Sequence, residues 1–365
     1  MKAYILKKIG QLEYTDVPIP SLQSGWALIQ VDAAGICGSD IPRIFSTGTY
    51  HFPTIPGHEF SGRVVDVFDE QDKIWIGKRV GIFPLIPCKK CAVCSSKQYE
   101  MCSNYDYLGS RRDGGFAEFV AVPAWNLMEL PEQISMQEAA MLEPASVALH
   151  AVRRLHLQKN DTAALFGLGT IGIMIVQWLS IFGLPKVYTI GHDPGHGNLM
   201  KTIVSDKYEY NNIDKTQNTK VQKMQEKDIV SKILDDTQGQ GTSLAVDCVG
   251  TSDSLEHCLN CVKPGGQILI VGNPKENLSL NKDIYWKILR KQIHITGTWN
   301  SSFMHDPKDD WHKVIESCCN RTFHISELIT HQLSFDKLHV GLHIVKTHQE
   351  YHNKIMICSN SILQN

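Results

Sequence analysis

The run Gly167-Leu-Gly169-Thr170-Ile171-Gly172 follows an apolar stretch at 163–166 and opens a second at 171–182. Glycines at this spacing, between a strand and a helix, let the backbone turn tightly, approach an anion and pack helix against strand. The anion that the helix N-terminus would accept is the pyrophosphate of a dinucleotide. A flexible turn in a nucleotide-free α/β domain is the competing reading of the glycines alone. Strand and helix patterns then alternate at 186–190, 244–249, 254–262 and 267–271, which argues for a parallel sheet covered by helices. Residues 163–184 are long and apolar enough to suggest a bilayer span. The four glycines at 167, 169, 172 and 183 make them a buried strand and helix instead.

The 365 residues suffice for two domains with a core each. Residues 1–150 are rich in Gly, Pro and β-branched runs and read as a β-rich catalytic domain. Residues 151–291 read as a doubly wound dinucleotide-binding domain. Residues 292–365 read as a return to the first domain through short strands. The stretch 194–228 is polar and Lys/Asn/Gln-rich and carries no clear period. With 36 Lys+Arg against 38 Asp+Glu, the net charge of −2 offers no basic field for nucleic acid. The first eleven residues carry Lys2, Lys7 and Lys8 with no apolar run between, so eleven cysteines point to a reducing cytoplasm.

Cys88-x2-Cys91-x2-Cys94-x7-Cys102 packs four thiols into fifteen residues. That matches the closed tetrahedral coordination of a structural zinc, with an iron–sulfur cluster as the rival metal and four unrelated cysteines as the bland alternative. A dispersed set comprises Cys37 in Cys37-Gly-Ser-Asp40, His58 in Gly57-His-Glu-Phe-Ser-Gly62, and Glu143 before Pro144. Together they would give a zinc three protein ligands and an open fourth position. Spacing alone does not join them, and each singly reads as a core Cys, a core His or a helix-start Glu. Cys258-x2-Cys261 and the pair Cys318-Cys319 read as core thiols. The acidic residue that binds ribose hydroxyls normally ends the second strand. Gly191 and His192 stand there, and the acid, Asp193, comes only afterwards.

These motifs, in this order, resemble the zinc-dependent medium-chain alcohol and polyol dehydrogenases over nearly the whole chain. The stretches Cys37-Gly-Ser-Asp-Ile-Pro-Arg-Ile-Phe45, Tyr107-Leu-Gly-Ser-Arg-Arg-Asp-Gly-Gly-Phe-Ala-Glu118 and Lys287-Ile-Leu-Arg-Lys291 are most similar to the branch acting on galactitol 1-phosphate. The resemblance implies a GroES-like catalytic domain beside a Rossmann domain, and it disfavours an iron–sulfur cluster. It implies two zincs per chain, with Cys37, His58 and Glu143 as ligands of the catalytic one and Glu59 as an exchanging ligand or neighbouring carboxylate. Asp40 would orient His58. Ser39 would pass the hydroxyl proton outward while hydride leaves for a nicotinamide. Gly167, Gly169, Thr170, Ile171, Gly172 and Asp193 would hold NAD, with NADP as the alternative.

Pro42 stands where many relatives end the proton relay in a histidine. The segment 69–75 reads as a shortened loop. Arg43 and Asn300 replace residues that contact the polyol in sorbitol dehydrogenases, and with Arg111 they are the candidate substrate contacts. A guanidinium suits a phosphate, so the expected reaction converts galactitol 1-phosphate to tagatose 6-phosphate. For Arg111 and Arg112 the competing reading is a surface ion pair with Asp113. An unphosphorylated polyol such as sorbitol or xylitol is the alternative substrate, and a silent nucleotide-binding relative the alternative class. A homodimer or homotetramer, with no membrane or nucleic-acid partner, is implied.

Overall fold

In the computed structural model the chain divides into two units, Met1–Ser146 with Ser301–Arg321 and Ile325–Asn365, and Val147–Asn300 with Thr322–His324. The structure describes residues 1–204, 209–212 and 226–363, with backbone only at 209–212 and 226–228. Of the polar stretch at 194–228, residues 205–208 and 213–225 therefore lie outside the described residues.

The second unit is built on a six-stranded parallel sheet in the order Glu209–Asn212, Lys186–Gly191, Thr162–Phe166, Thr242–Asp247, Val262–Ile270, His294–Gly297. Thr162–Phe166 lies between Lys186–Gly191 and Thr242–Asp247, pairing Ala163 with Val187 on one side and Leu244 on the other. Every residue of Thr242–Asp247 is buried, as expected of a strand covered on both faces. The helices Thr170–Ile181, Pro194–Val204, Ser252–Cys261 and Lys282–Lys291 link the strands. This is the Rossmann arrangement, and its strand order reverses at the carboxyl end of Thr162–Phe166, where the glycine turn sits. Trp178, fully buried on Thr170–Ile181, stacks on Phe323 at 4.4 Å. No helix among the described residues is long and apolar enough to cross a membrane.

The first unit has a GroES-like, mainly antiparallel sheet in the order Ile329–Ser334, Lys354–Cys358, Trp26–Gly35, Glu59–Val67, Arg79–Ile82, Leu127–Glu129, with Phe119–Pro123 also pairing Trp26–Gly35. The chain end thus enters a sheet begun more than three hundred residues earlier. Its register sets Met356 opposite Gly35 and Gly35 opposite Glu59.

The structure corrects two expectations about the last quarter of the chain. The boundary expected after residue 291 falls after Asn300, because His294–Gly297 pairs with Val262–Ile270 as the sixth parallel strand. The short strands expected after 292 include the helices Asp310–Cys319 and Leu338–Thr347, the former burying Trp311. Cys258 and Cys261 are fully buried, whereas Cys318 and Cys319 are only half-buried.

Gly172 has no room for a side chain, since a Cβ there would lie 2.2 Å from the Gly167 carbonyl oxygen. At Gly169 a Cβ would meet nothing within 4 Å. Gly172→Ala should therefore cost about 1–3 kcal/mol through overpacking, and Gly169→Ala less than about 0.5 kcal/mol. Denaturant midpoints of the two variants check this, and equal midpoints would refute the close contact.

Candidate active site and metal centres

Donor atoms of Cys37, His58 and Glu59 lie within 4.8 Å of one another. Cys37 follows the strand Trp26–Gly35, and Glu59 opens the antiparallel strand beside it, so the sheet register brings them together. Asp40, fully buried, organises the group: its Oδ2 accepts the Cys37 N–H at 2.9 Å. Its Oδ1 accepts from Arg43 Nη1 at 2.9 Å and lies 3.6 Å from His58 Nδ1, beyond hydrogen-bond range but close enough for attraction. Burial opposes charge on His58, but Cys37 and Asp40 outweigh it and raise the imidazole well above its ordinary pKa. Ser39, exposed, donates to Cys37 Sγ at 3.3 Å.

Glu143, expected as the third ligand, is not in this convergent set, which holds Glu59, expected as an exchanging ligand or neighbouring carboxylate. Glu143 instead accepts a hydrogen bond from the Tyr107 hydroxyl at 3.1 Å, and burial pushes its carboxyl up to about 7. Burial and the Glu143 charge in turn raise the Tyr107 phenol, which stays a donor. The Tyr107 ring lies 5.8 Å from that of His58.

Sequence reasoning missed Lys354. It stands at the start of Lys354–Cys358, is 3% exposed, and pairs with Glu59 Oε2 at 2.5 Å. Burial disfavours its ammonium, but Glu59 and then Cys37 more than compensate and raise its pKa. The two side chains meet across Gly35, where a Cβ would lie 2.5 Å from Glu59 Oε2. Its only sequence signal is a lysine entering the apolar run Ile355-Met-Ile357.

The four thiols at 88, 91, 94 and 102 also lie within 4.8 Å of one another. Cys88 and Cys94 are 3.9 Å apart, as are Cys91 and Cys102. Thiolates about 2.3 Å from one tetrahedral ion would stand about 3.8 Å apart, so the set fits a closed zinc site. The Lys90 backbone N–H, against the opposing effect of burial, draws the Cys88 thiol down to about 6, while burial pushes Cys94 up to about 12.

In the second unit Gly167 has φ of +98°, its N–H donates to the Ile190 carbonyl, and Gly169 caps the helix Thr170–Ile181. Open space at Gly169 is a cradle that a dinucleotide pyrophosphate would fill. Asp193 Oδ1 accepts the Gly195 N–H at 2.8 Å, so one of its oxygens is already engaged in starting the helix Pro194–Val204.

Among the substrate candidates, Arg43 is committed to Asp40. Arg112 pairs with Asp106, and Asp113 accepts the Ile55 N–H, so the expected pairing of the doublet with Asp113 is not made. The Arg111 guanidinium lies between the rings of Tyr50 and Tyr105, 4.0 and 4.6 Å from their centroids. Asn300 belongs to the second unit, in the left-handed region at φ of +54°, with Nδ2 buried and unpartnered.

Residues 23–132 match the alcohol dehydrogenase GroES-like domain and residues 170–319 the zinc-binding dehydrogenase domain. The chain is 28% identical over 337 residues to galactitol 1-phosphate 5-dehydrogenase of Escherichia coli K12, covering 92% of this chain and 94% of that one. It is 27% identical to sorbitol dehydrogenase of Bacillus subtilis, with 92% and 91% covered. The crystal structure of galactitol-1-phosphate dehydrogenase from Escherichia coli superposes with a TM-score of 0.84 at 27% identity, covering 98% of this chain and all of the other. With both domain types, a convergent cysteine–histidine–glutamate set and a four-cysteine lobe on one chain, the protein belongs to the zinc-dependent medium-chain alcohol and polyol dehydrogenases.

Proposed function

We propose that the protein oxidises a secondary hydroxyl of a polyol phosphate, galactitol 1-phosphate to tagatose 6-phosphate, with NAD as hydride acceptor and two zincs per chain. The observation that carries the reading is the convergence of Cys37, His58 and Glu59 on one point, together with the names of the relatives. The sorbitol dehydrogenase relative favours an unphosphorylated polyol as the second reading.

Cys37 and His58 would hold the catalytic zinc with Glu143 and Glu59 as its candidate carboxylates, and Cys88, Cys91, Cys94 and Cys102 the structural one. When bound, the metal supplies Lewis acidity toward the hydroxyl and the nicotinamide accepts hydride. The residues do the rest. Asp40 fixes the Cys37 backbone and faces the far nitrogen of His58, which holds the ring that faces the metal position. Ser39, exposed beside Cys37, carries the released proton outward, and with Pro42 in place of a histidine the relay finishes through ribose, water or Glu59. Lys354 pairs with Glu59 and holds its carboxylate in place. Gly167, Gly169, Thr170, Ile171 and Gly172 cradle the pyrophosphate. Asp193 remains the candidate for the ribose hydroxyls, and Arg43, Arg111 and Asn300 remain the substrate-contact candidates. Exposed Ile295 on the edge strand His294–Gly297, with Leu289 and Trp299 nearby in sequence, supports pairing with a second copy. Eleven free cysteines suit a reducing, cytoplasmic setting.

Elemental analysis should find two zincs per chain. His58→Ala should lose one zinc and turnover yet keep its fold, whereas Cys91→Ala should lose the other zinc and lower the Tm, because structural zinc contributes folding free energy. Equal unfolding of both variants would count against this division.

Lys354→Met should cost about 3–5 kcal/mol by leaving Glu59 buried and unpaired. The loss should be largest in chelator-treated protein, where no divalent ion compensates the carboxylate. Adding Glu59→Gln should recover most of it; a double variant no better than the single would exclude the pair.

The function itself is tested by kcat/KM for galactitol 1-phosphate, galactitol, sorbitol and xylitol, each with NAD and NADP. The phosphorylated polyol with NAD should be preferred. A preference for a neutral polyol would overturn the substrate assignment, and one for NADP the cofactor assignment.

A further inference from the structure

The loop from Tyr107 to Arg112 is held against the segment that carries His58. A Cβ on Gly109 would lie 2.6 Å from the Gly57 carbonyl, and one on Gly114 2.0 Å from the Gly57 oxygen, so the two backbones touch immediately before His58. The N–H groups of Arg111 and Arg112 both donate to the Tyr107 carbonyl, closing the loop. His51 Nε2 lies 3.0 Å from the Arg111 carbonyl oxygen and ties the Tyr50 segment to the same loop. From His58 a line of rings runs outward: to Tyr107 at 5.8 Å, to Tyr105 at a further 6.1 Å, and then to the Arg111 guanidinium at 4.6 Å.

At the end of this line Arg111 is in an unusual state. Tyr50 covers one face of its guanidinium and Tyr105 the other. Its Nε is buried without a hydrogen-bond partner. The nearby acids are engaged elsewhere, Asp106 by Arg112 and Asp113 by the Ile55 N–H, and Arg111 has no ion pair among the described residues. Two aromatic faces leave a guanidinium only its edge, which presents parallel N–H groups suited to two oxygens of one anion. Ring quadrupoles hold the cation in place without neutralising it. Arg43, by contrast, already spends its fork on buried Asp40.

We infer that Arg111, clamped between Tyr50 and Tyr105, is the residue by which the active site selects a phosphorylated over a neutral polyol, binding the phosphate at the end of the substrate remote from the metal-binding cluster. This rests on the polyol-phosphate reading. Binding energy from a group remote from the reacting carbon, realised equally in ground and transition states, appears in KM. Arg43→Ala, in contrast, should affect phosphorylated and neutral polyols alike, through Asp40.

The test is kcat and KM for galactitol 1-phosphate and galactitol in the parent, Arg111→Gln, Arg111→Lys and Tyr50→Ala, at fixed ionic strength. Arg111→Gln should lower efficiency for the phosphate ester about tenfold to a hundredfold, as loss of charge-assisted bonds does, mostly in KM, and leave galactitol within about twofold. Arg111→Lys should recover part of the loss, having charge but no planar fork. Tyr50 is 69% exposed, so Tyr50→Ala should fold normally and give a smaller loss, again confined to the ester. Inorganic phosphate should inhibit the parent competitively against the ester and inhibit Arg111→Gln much less. Equal losses on both substrates, with a lowered Tm, would overturn the inference while leaving the polyol-phosphate reading intact. A parent that prefers galactitol over its phosphate would overturn both.

Discussion

The ion pair between Lys354 and Glu59 ties the last strand of the first unit to the motif that carries His58. Both side chains are buried, so neither charge is stable without the other, and the pair forms only if Lys354–Cys358 docks beside Trp26–Gly35 in register. A slip of one residue would turn Lys354 to the opposite face of the sheet and strand Glu59. Completion of the sheet and organisation of the metal-binding cluster are therefore one event, although the residues involved lie almost three hundred positions apart. Gly35 makes the meeting possible by contributing no side chain where the two approach.

Glycine acts in the same way elsewhere. Gly57, Gly109 and Gly114 allow two loops to pack backbone against backbone, which sets Tyr107 beside His58 and Glu143 and sends Arg111 outward along the same wall. In the second unit Gly172 lies against the Gly167 carbonyl and draws the helix onto the strand, while Gly169 leaves space. Close approach fixes geometry more sharply than side-chain packing does, because backbone atoms have no rotamers with which to adjust.

The two metal-binding sets differ in what surrounds them. The four thiols sit in a lobe of very short elements, Leu85–Ile86, Ala92–Ser95 and Tyr99–Met101, where bonds to a metal would substitute for a core. Cys37, His58 and Glu59 sit at strand ends of a well-packed sheet, with Asp40, Lys354 and Glu143 around them. A mixed donor set with buried charged neighbours suits a site that must hold a metal and still exchange a ligand.

The local features were legible in sequence: the glycine turn between strand and helix, the four-cysteine spacing, and the alternation that gives a parallel sheet all depend on residues near one another in the chain. The end of the second domain was misplaced, because nothing local distinguishes His294–Gly297 as a sixth parallel strand from a strand of the other sheet. The role of Lys354 and the difference between Arg43 and Arg111 could not be read at all. Each depends on which side chains strand register and loop packing bring within a few ångströms, and a carboxylate or guanidinium looks the same in sequence whether its partner is present or absent. Sequence by itself determined the kinds of chemistry this protein can perform; the tertiary structure decided which residues are left free to perform it, because only folding assigns each charge a neighbour.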